Sequence, residues 1–206
     1  MEAFFGAVLE FFRQMFFYMV VATLLENTIF SRALGTSTSL FVVRKRYNLL
    51  IFGLVMTLII TASSVLTYLI RPLIQGWSSS YYLTPLCYVL VIGVVYILAL
   101  LMTNRLVKKH KDDVLSMIHV TAFNCAVLGA LLLASNIADV TFASFLGFGI
   151  GTGIGFTLAT FFVRLAFERL SGEDVPPSFR GFPITLIYIG IVSLAIYGLI
   201  GHELPF

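Results

Sequence analysis

The chain has 206 residues, of which 59% are hydrophobic, 15% aromatic and only 11% charged. Soluble domains carry roughly a quarter charged side chains, so this composition excludes a soluble globular enzyme and requires a bilayer. The net charge of +3 implies no nucleic-acid partner, because the basic residues fall in short connections between apolar runs.

A membrane-crossing helix takes about 20 apolar residues. Six stretches qualify, at Phe4–Leu25, Leu49–Ile70, Leu83–Met102, Val114–Ala134, Val140–Phe162 and Pro183–Ile200. The expectation is an all-α integral membrane protein with about six transmembrane helices in a single membrane domain over residues 1-206. The connections are too short to hold an extramembrane domain.

The first stretch lacks a basic leader and a small-residue cleavage site, and it carries Glu10 and Arg13. It therefore reads as a retained span rather than a signal peptide. With its polar continuation to Val43 it is too long for one straight crossing. Glu26-Asn27-Thr28, then Arg32, then Leu34-Gly35-Thr36-Ser37-Thr38-Ser39 interrupt it. The expected path enters the membrane, breaks near Glu26-Asn27 and ends as a short helix. Such irregular backbone is tolerated at depth only where protein or a cavity covers it. Glu26, Asn27 and Arg32 are the polar candidates at the midplane. They either cap the break, with Arg32 neutralising Glu26, or bind a cation.

The basic residues then set the orientation. Arg44, Lys45 and Arg46 precede the second span, Arg105, Lys108, Lys109 and Lys111 follow the third, and Arg164, Arg169 and Arg180 follow the fifth. The opposite side holds Arg71 between the second and third spans. The positive-inside rule puts the rich loops in the cytoplasm and both termini outside. Trp77, Tyr81 and Tyr82 fit an outer aromatic belt. Cys87 and Cys125 both fall within spans, so no structural disulfide is expected.

The fourth stretch is interrupted in turn, by His119-Val120-Thr121 and Asn124-Cys125-Ala126-Val127-Leu128-Gly129. It corresponds to the first if the chain divides near residue 105 into halves of three spans, approximately 1-105 and 106-206. Three spans per half turn the second half upside down. The expectation is two inverted three-helix repeats with helices one and four broken near the midplane. His119 reads as a hydrogen-bonded residue near a membrane boundary, and Asp139 as solvated in an outer loop. Cys125 alone reads as a small buried hydrophobe, and spacing alone demonstrates no metal site. The fifth stretch carries Gly147, Gly149, Gly151, Gly153 and Gly155. With no strand before them these are no nucleotide loop. Close helix packing through small residues is the preferred reading, with a flexible transport helix as the alternative.

Taken in order, Asn27, Leu34-Gly35, Asn124 through Gly129, Gly155-Phe156 and Val175-Pro176-Pro177-Ser178-Phe179-Arg180-Gly181 resemble a known set. The chain is similar to the membrane subunits shared by the Rnf electron-transport complex and the sodium-translocating NADH:quinone oxidoreductase, in the sense of the A-type member of Rnf (E-type in the quinone reductase). The resemblance covers nearly the whole chain. It implies a membrane subunit that packs against an oppositely inserted sister and shares one [2Fe–2S] cluster with it near the midplane. Each subunit would supply two cysteines from its broken helices. Flavins and NAD belong to other subunits of the Rnf-like complex, and electron flow is coupled to sodium or proton movement across a bacterial or archaeal inner membrane. One ligand position departs from that pattern: Cys125 is present, but Ser37 stands where the family has its first cysteine. A serine hydroxyl is a far poorer iron ligand than a thiolate, so the site is altered or lost. Asn124 precedes Cys125 and joins the midplane candidates. The rival expectation is a stand-alone secondary transporter or scaffold on the same fold.

Overall fold

The structure, a computed structural model, describes residues 1–76, 80–107, 111–137, 140–170, 172 and 175–200; Trp77, Lys108, Lys109 and Asp139 lie outside the described residues. All the regular elements among them are helices. They are α1 (Glu2–Val20), which runs on through a wider π-type turn at Val21–Leu25, α2 (Thr36–Arg44), α3 (Leu49–Gln75), α4 (Ser80–Leu106), α5 (Lys111–Ala122), α6 (Cys125–Ser135), α7 (Phe142–Arg169) and α8 (Phe182–Ile200).

Four continuous helical stretches are long and apolar enough to cross a membrane, and α5 with α6, bent by 50°, counts as a fifth. The expected Val114–Ala134 span is therefore two helices. The expected sixth span is α8, whose apolar part, Phe182–Gly198, is shorter, about 25 Å at helical rise.

Polar side chains set the starts. Asn48 accepts the N–H groups of Leu50 and Ile51 to open α3, and Thr141 with Ser144 forms a capping box at α7. Each satisfies backbone donors that hydrocarbon would leave unpaired.

Helices α3 and α7 form the centre of the molecule. They run antiparallel: Gly149 meets Thr61 and Ser64, Gly153 meets Thr57, and Gly53 meets Thr157. The other face of α7 carries α1 in parallel, with Gly147, Gly151 and Gly155 against the backbone of Met15, Met19 and Thr23. A Cβ at Gly155 would lie 2.9 Å from the Thr23 carbonyl oxygen. The glycines are thus spacers that let two helices approach one, which is the packing reading of the run. On the other side α5 and α6 climb parallel to α3, with Tyr47 bonded to Ser116 near the bottom and Arg71 to the Ser135 carbonyl near the top.

The basic side chains collect at one end of this bundle. Arg44 at the end of α2 lies over the ring of Phe182 at the start of α8, 5.7 Å from its centroid. Arg105, Lys111, Arg164 and Arg169 occupy the neighbouring helix ends. Tyr81 and Tyr82, both exposed, stand at the opposite end.

Candidate functional site

The first break follows the π-type turn, where the Glu26 N–H donates to the Val21 carbonyl at 2.8 Å. Asn27 is fully engaged there. Its amide donates to the Thr23 carbonyl and, across the interface, to the Gly155 carbonyl of α7, both at 3.0 Å. Its Oδ1 accepts from Ile29 and Phe30 N–H at 3.1 and 3.2 Å. One side chain thus ties the end of α1, the following turn and α7 together. Thr23 repeats the device one turn earlier, donating to the Gly151 carbonyl at 3.0 Å. Glu26 and Arg32 form a two-point ion pair at 2.8 and 3.0 Å on the half-exposed side of the break. Residues Ala33 and Gly35 then take positive φ, at 55° and 76°, turning the chain into α2.

The second break is only Phe123-Asn124. Asn124 opens α6 by accepting the Ala126 N–H at 3.0 Å. Its Nδ2 is buried and has no partner. Buried without partners as well are the hydroxyls of Thr28, Ser39 and Thr121, which lie within a turn or two of the two breaks. Unpaired buried polar atoms are uncommon and each costs free energy.

The two breaks meet. The Gly35 N–H points at the Cys125 sulfur, 3.1 Å away, and a Cβ at Gly35 would lie 2.8 Å from Asn124 Oδ1. Leu34 packs on Gly129. Glycine is needed at 35 for its backbone angle and for this closeness alike. Both short helices, α2 from Thr36 and α6 from Cys125, therefore begin at one place, and their positive dipole ends converge there. Negative charge is favoured at such a point.

Of the sequence candidates, Asn124 and Cys125 are brought to this junction, while Asn27 ties the first break to α7. Ser37 lies in the first turn of α2, exposed as Cys125 is. The Cys125 thiol is thus a surface group, contrary to the buried hydrophobe its composition suggests. Glu26 and Arg32 satisfy one another beside the junction. Cys87 stays in α4, partly buried against the core. His119 bonds Tyr96 through Nδ1 at 2.8 Å and stands eight residues along α5 from Lys111, about 12 Å. Gly155 as an acceptor for Asn27, and Tyr96 as a partner for His119, had no signal in the sequence. Among the described residues no group of three or more His, Cys, Asp or Glu side chains could hold a metal ion.

Comparison with known proteins covers almost the whole chain. The family described as "Rnf-Nqr subunit, membrane protein" matches residues 15–202. The A-type member of the ion-translocating oxidoreductase complex of Alcanivorax borkumensis is 35% identical over 187 residues, 89% of this chain and 94% of that protein. The protein of the same name from Vibrio vulnificus is 30% identical over 89% of this chain and 95% of its own length. The A-type member of the Na(+)-translocating ferredoxin:NAD(+) oxidoreductase complex of Acetobacterium woodii is 30% identical over 91% of this chain and 97% of its own.

Proposed function

The chain belongs to the Rnf-Nqr family of membrane subunits, and from that premise we infer the part it takes in a larger assembly. It is a multi-pass membrane component of an Rnf-type complex that couples electron transfer to ion transport. The observation that carries this is the match over residues 15–202.

Within that reading the chain crosses the inner membrane six times, α8 being the sixth crossing, as two inverted halves with both termini outside. The antiparallel pairing of α3 with α7 supports the inversion, as does the matching parallel docking of α1 on α7 and of α5–α6 on α3. The basic helix ends face the cytoplasm. The surface around Ser37 and Cys125 receives an oppositely inserted sister subunit, which its exposure in the single chain supports.

An ordinary two-cysteine contribution to a [2Fe–2S] cluster does not fit these residues. Such clusters are commonly held by four thiolates, and this junction offers one, with a hydroxyl at Ser37. The cluster is accordingly altered or absent, and the junction holds the scaffold of that site. Flavins and nicotinamide are bound by other subunits.

The test is purification of the tagged chain from its native membranes. Co-purification of other Rnf-type subunits is expected, and a chain that comes away alone and catalyses solute flux in liposomes contradicts the reading. Iron and acid-labile sulfide in the same complex should be well below the content that two cysteines per chain would hold, and should rise in Ser37→Cys. Full occupancy in the natural sequence contradicts the altered site.

A further inference from the structure

Polar groups climb one face of α5 from the basic end towards the two breaks. Asp112, Ser116 and His119 recur at intervals of four and three residues and so share that face, with Phe123 four residues on, at the break. Ser116 Oγ pairs with Tyr47 Oη at 2.6 Å. One turn higher His119 Nδ1 pairs with Tyr96 Oη at 2.8 Å. The Tyr96 ring lies 5.5 Å from the imidazole and 5.0 Å from the ring of Phe123, centroid to centroid. Phe123 is 75% exposed and adjoins the junction at Asn124-Cys125.

Two helices give the depth of this pair. His119 is eight residues from Lys111 on α5 and Tyr96 nine from Arg105 on α4, about 12 and 14 Å at helical rise. Half the hydrocarbon thickness is about 15 Å. With these basic residues taken as the cytoplasmic boundary, as in the functional reading, an exposed imidazole stands near the bilayer midplane, and among the described residues its Nε2 has no partner. Lipid cannot bond that nitrogen, and ionisable side chains at this depth face partners or water-filled paths.

We propose that His119, backed by Tyr96, is a proton-binding site through which protons reach the junction of the two breaks, so that the ion this subunit handles is the proton. The proposal rests on the reading of the chain as part of a redox-driven ion translocase. The Tyr96 hydroxyl suits both states of the ring: it accepts from Nδ1–H of the neutral imidazole, which leaves Nε2 as the open base, and still accepts from Nδ1–H of the imidazolium. One proton arrives from water on the basic side and forms the N–H at Nε2. The same proton then leaves Nε2 for a water molecule on the junction side, and no electron changes place in either step. Sodium, a hard cation, takes oxygen ligands, whereas the open atom here is nitrogen. The titratable and charged groups facing His119 are few. On α4 they are Tyr96 and, at its basic end, Arg105; on α5 they are Lys111, Asp112 and Asp113 one to two turns below; and Tyr47 enters at Ser116. The titratable side chains of α3, Tyr68 and Arg71, belong to its far end.

The experiment uses the assembled complex in liposomes, with proton uptake and electron transfer followed together. In His119→Gln the protons taken up per electron fall about tenfold, as for loss of a positioned proton carrier. An unchanged ratio, or sodium uptake indifferent to the substitution, overturns the proposal. A structural role of the side chain would lower both rates and keep their ratio. If wild-type liposomes show no redox-driven transport, the functional reading fails, and NMR of labelled histidine on the same protein decides this site. An imidazole whose Nε2 exchanges its proton with water, with the Nδ1 signal moved in Tyr96→Phe, supports it, and a ring closed to exchange overturns it.

Discussion

The two breaks meet at one junction and are built oppositely. The first, residues 26–35, closes on itself: Asn27 makes four hydrogen bonds, Glu26 and Arg32 neutralise one another, and Gly155 of α7 lies against Thr23 and the Asn27 amide. The second is a two-residue hinge in which Asn124 makes one bond and leaves its Nδ2 unpaired. A thiol lies open beside it. A break whose asparagine and ion pair are satisfied is a mount, and one that leaves an amide donor unpaired and a thiol exposed is where a partner has something to meet.

Substitutions test that contrast, and the largest effect belongs to the mount. Gly155→Leu drives a side chain into the Thr23 backbone and the Asn27 amide. It should cost about 3 kcal/mol or more, read as loss of folded protein in detergent thermal unfolding. Asn27→Leu keeps the volume but strands two N–H groups and two carbonyls, and should cost about 3 kcal/mol. The matched Asn124→Leu removes a single cap bond and should cost about 1 kcal/mol. Equal losses at the two asparagines would break the comparison. Gly35→Ala, strained by its φ and pressed on Asn124 and Ala126, should cost about 1–2 kcal/mol and alter Cys125 reactivity, because it moves the N–H that faces the sulfur. The smallest effect is expected at Arg32→Gln. Its ion pair with Glu26 is partly exposed, with side-chain exposures of 47% and 33%, so the loss should stay below about 1 kcal/mol in the same unfolding assay.

Much of the plan was legible in the sequence, because a bilayer makes hydropathy a strong signal. Polar residues inside apolar runs marked both breaks, and the glycine run marked a packing face. Four of the expected spans are single helical stretches, and the fourth is the bent pair α5–α6. The structure shows four or, with the bent pair, five such spans, and the sixth would be α8, whose apolar stretch is shorter. What stayed hidden depends on contacts between distant residues. Asn27 finds its acceptor 128 positions away, Gly35 meets Cys125 across 90, and the pairing of His119 with Tyr96 joins separate helices. Local pattern carries no trace of such distances. The exposure of Cys125 was likewise unreadable, because it follows from where the hinge directs the start of α6.

The central claim is that the surface bearing Ser37 and Cys125 is covered by another subunit, and thiol accessibility tests it most directly. A small membrane-permeant maleimide is applied to the isolated chain and to the assembled complex, with Cys87 as the internal reference. The account predicts that Cys125 reacts in the isolated chain and is shielded in the complex, while Cys87 behaves alike in both. Equal labelling of Cys125 in the two states would contradict it.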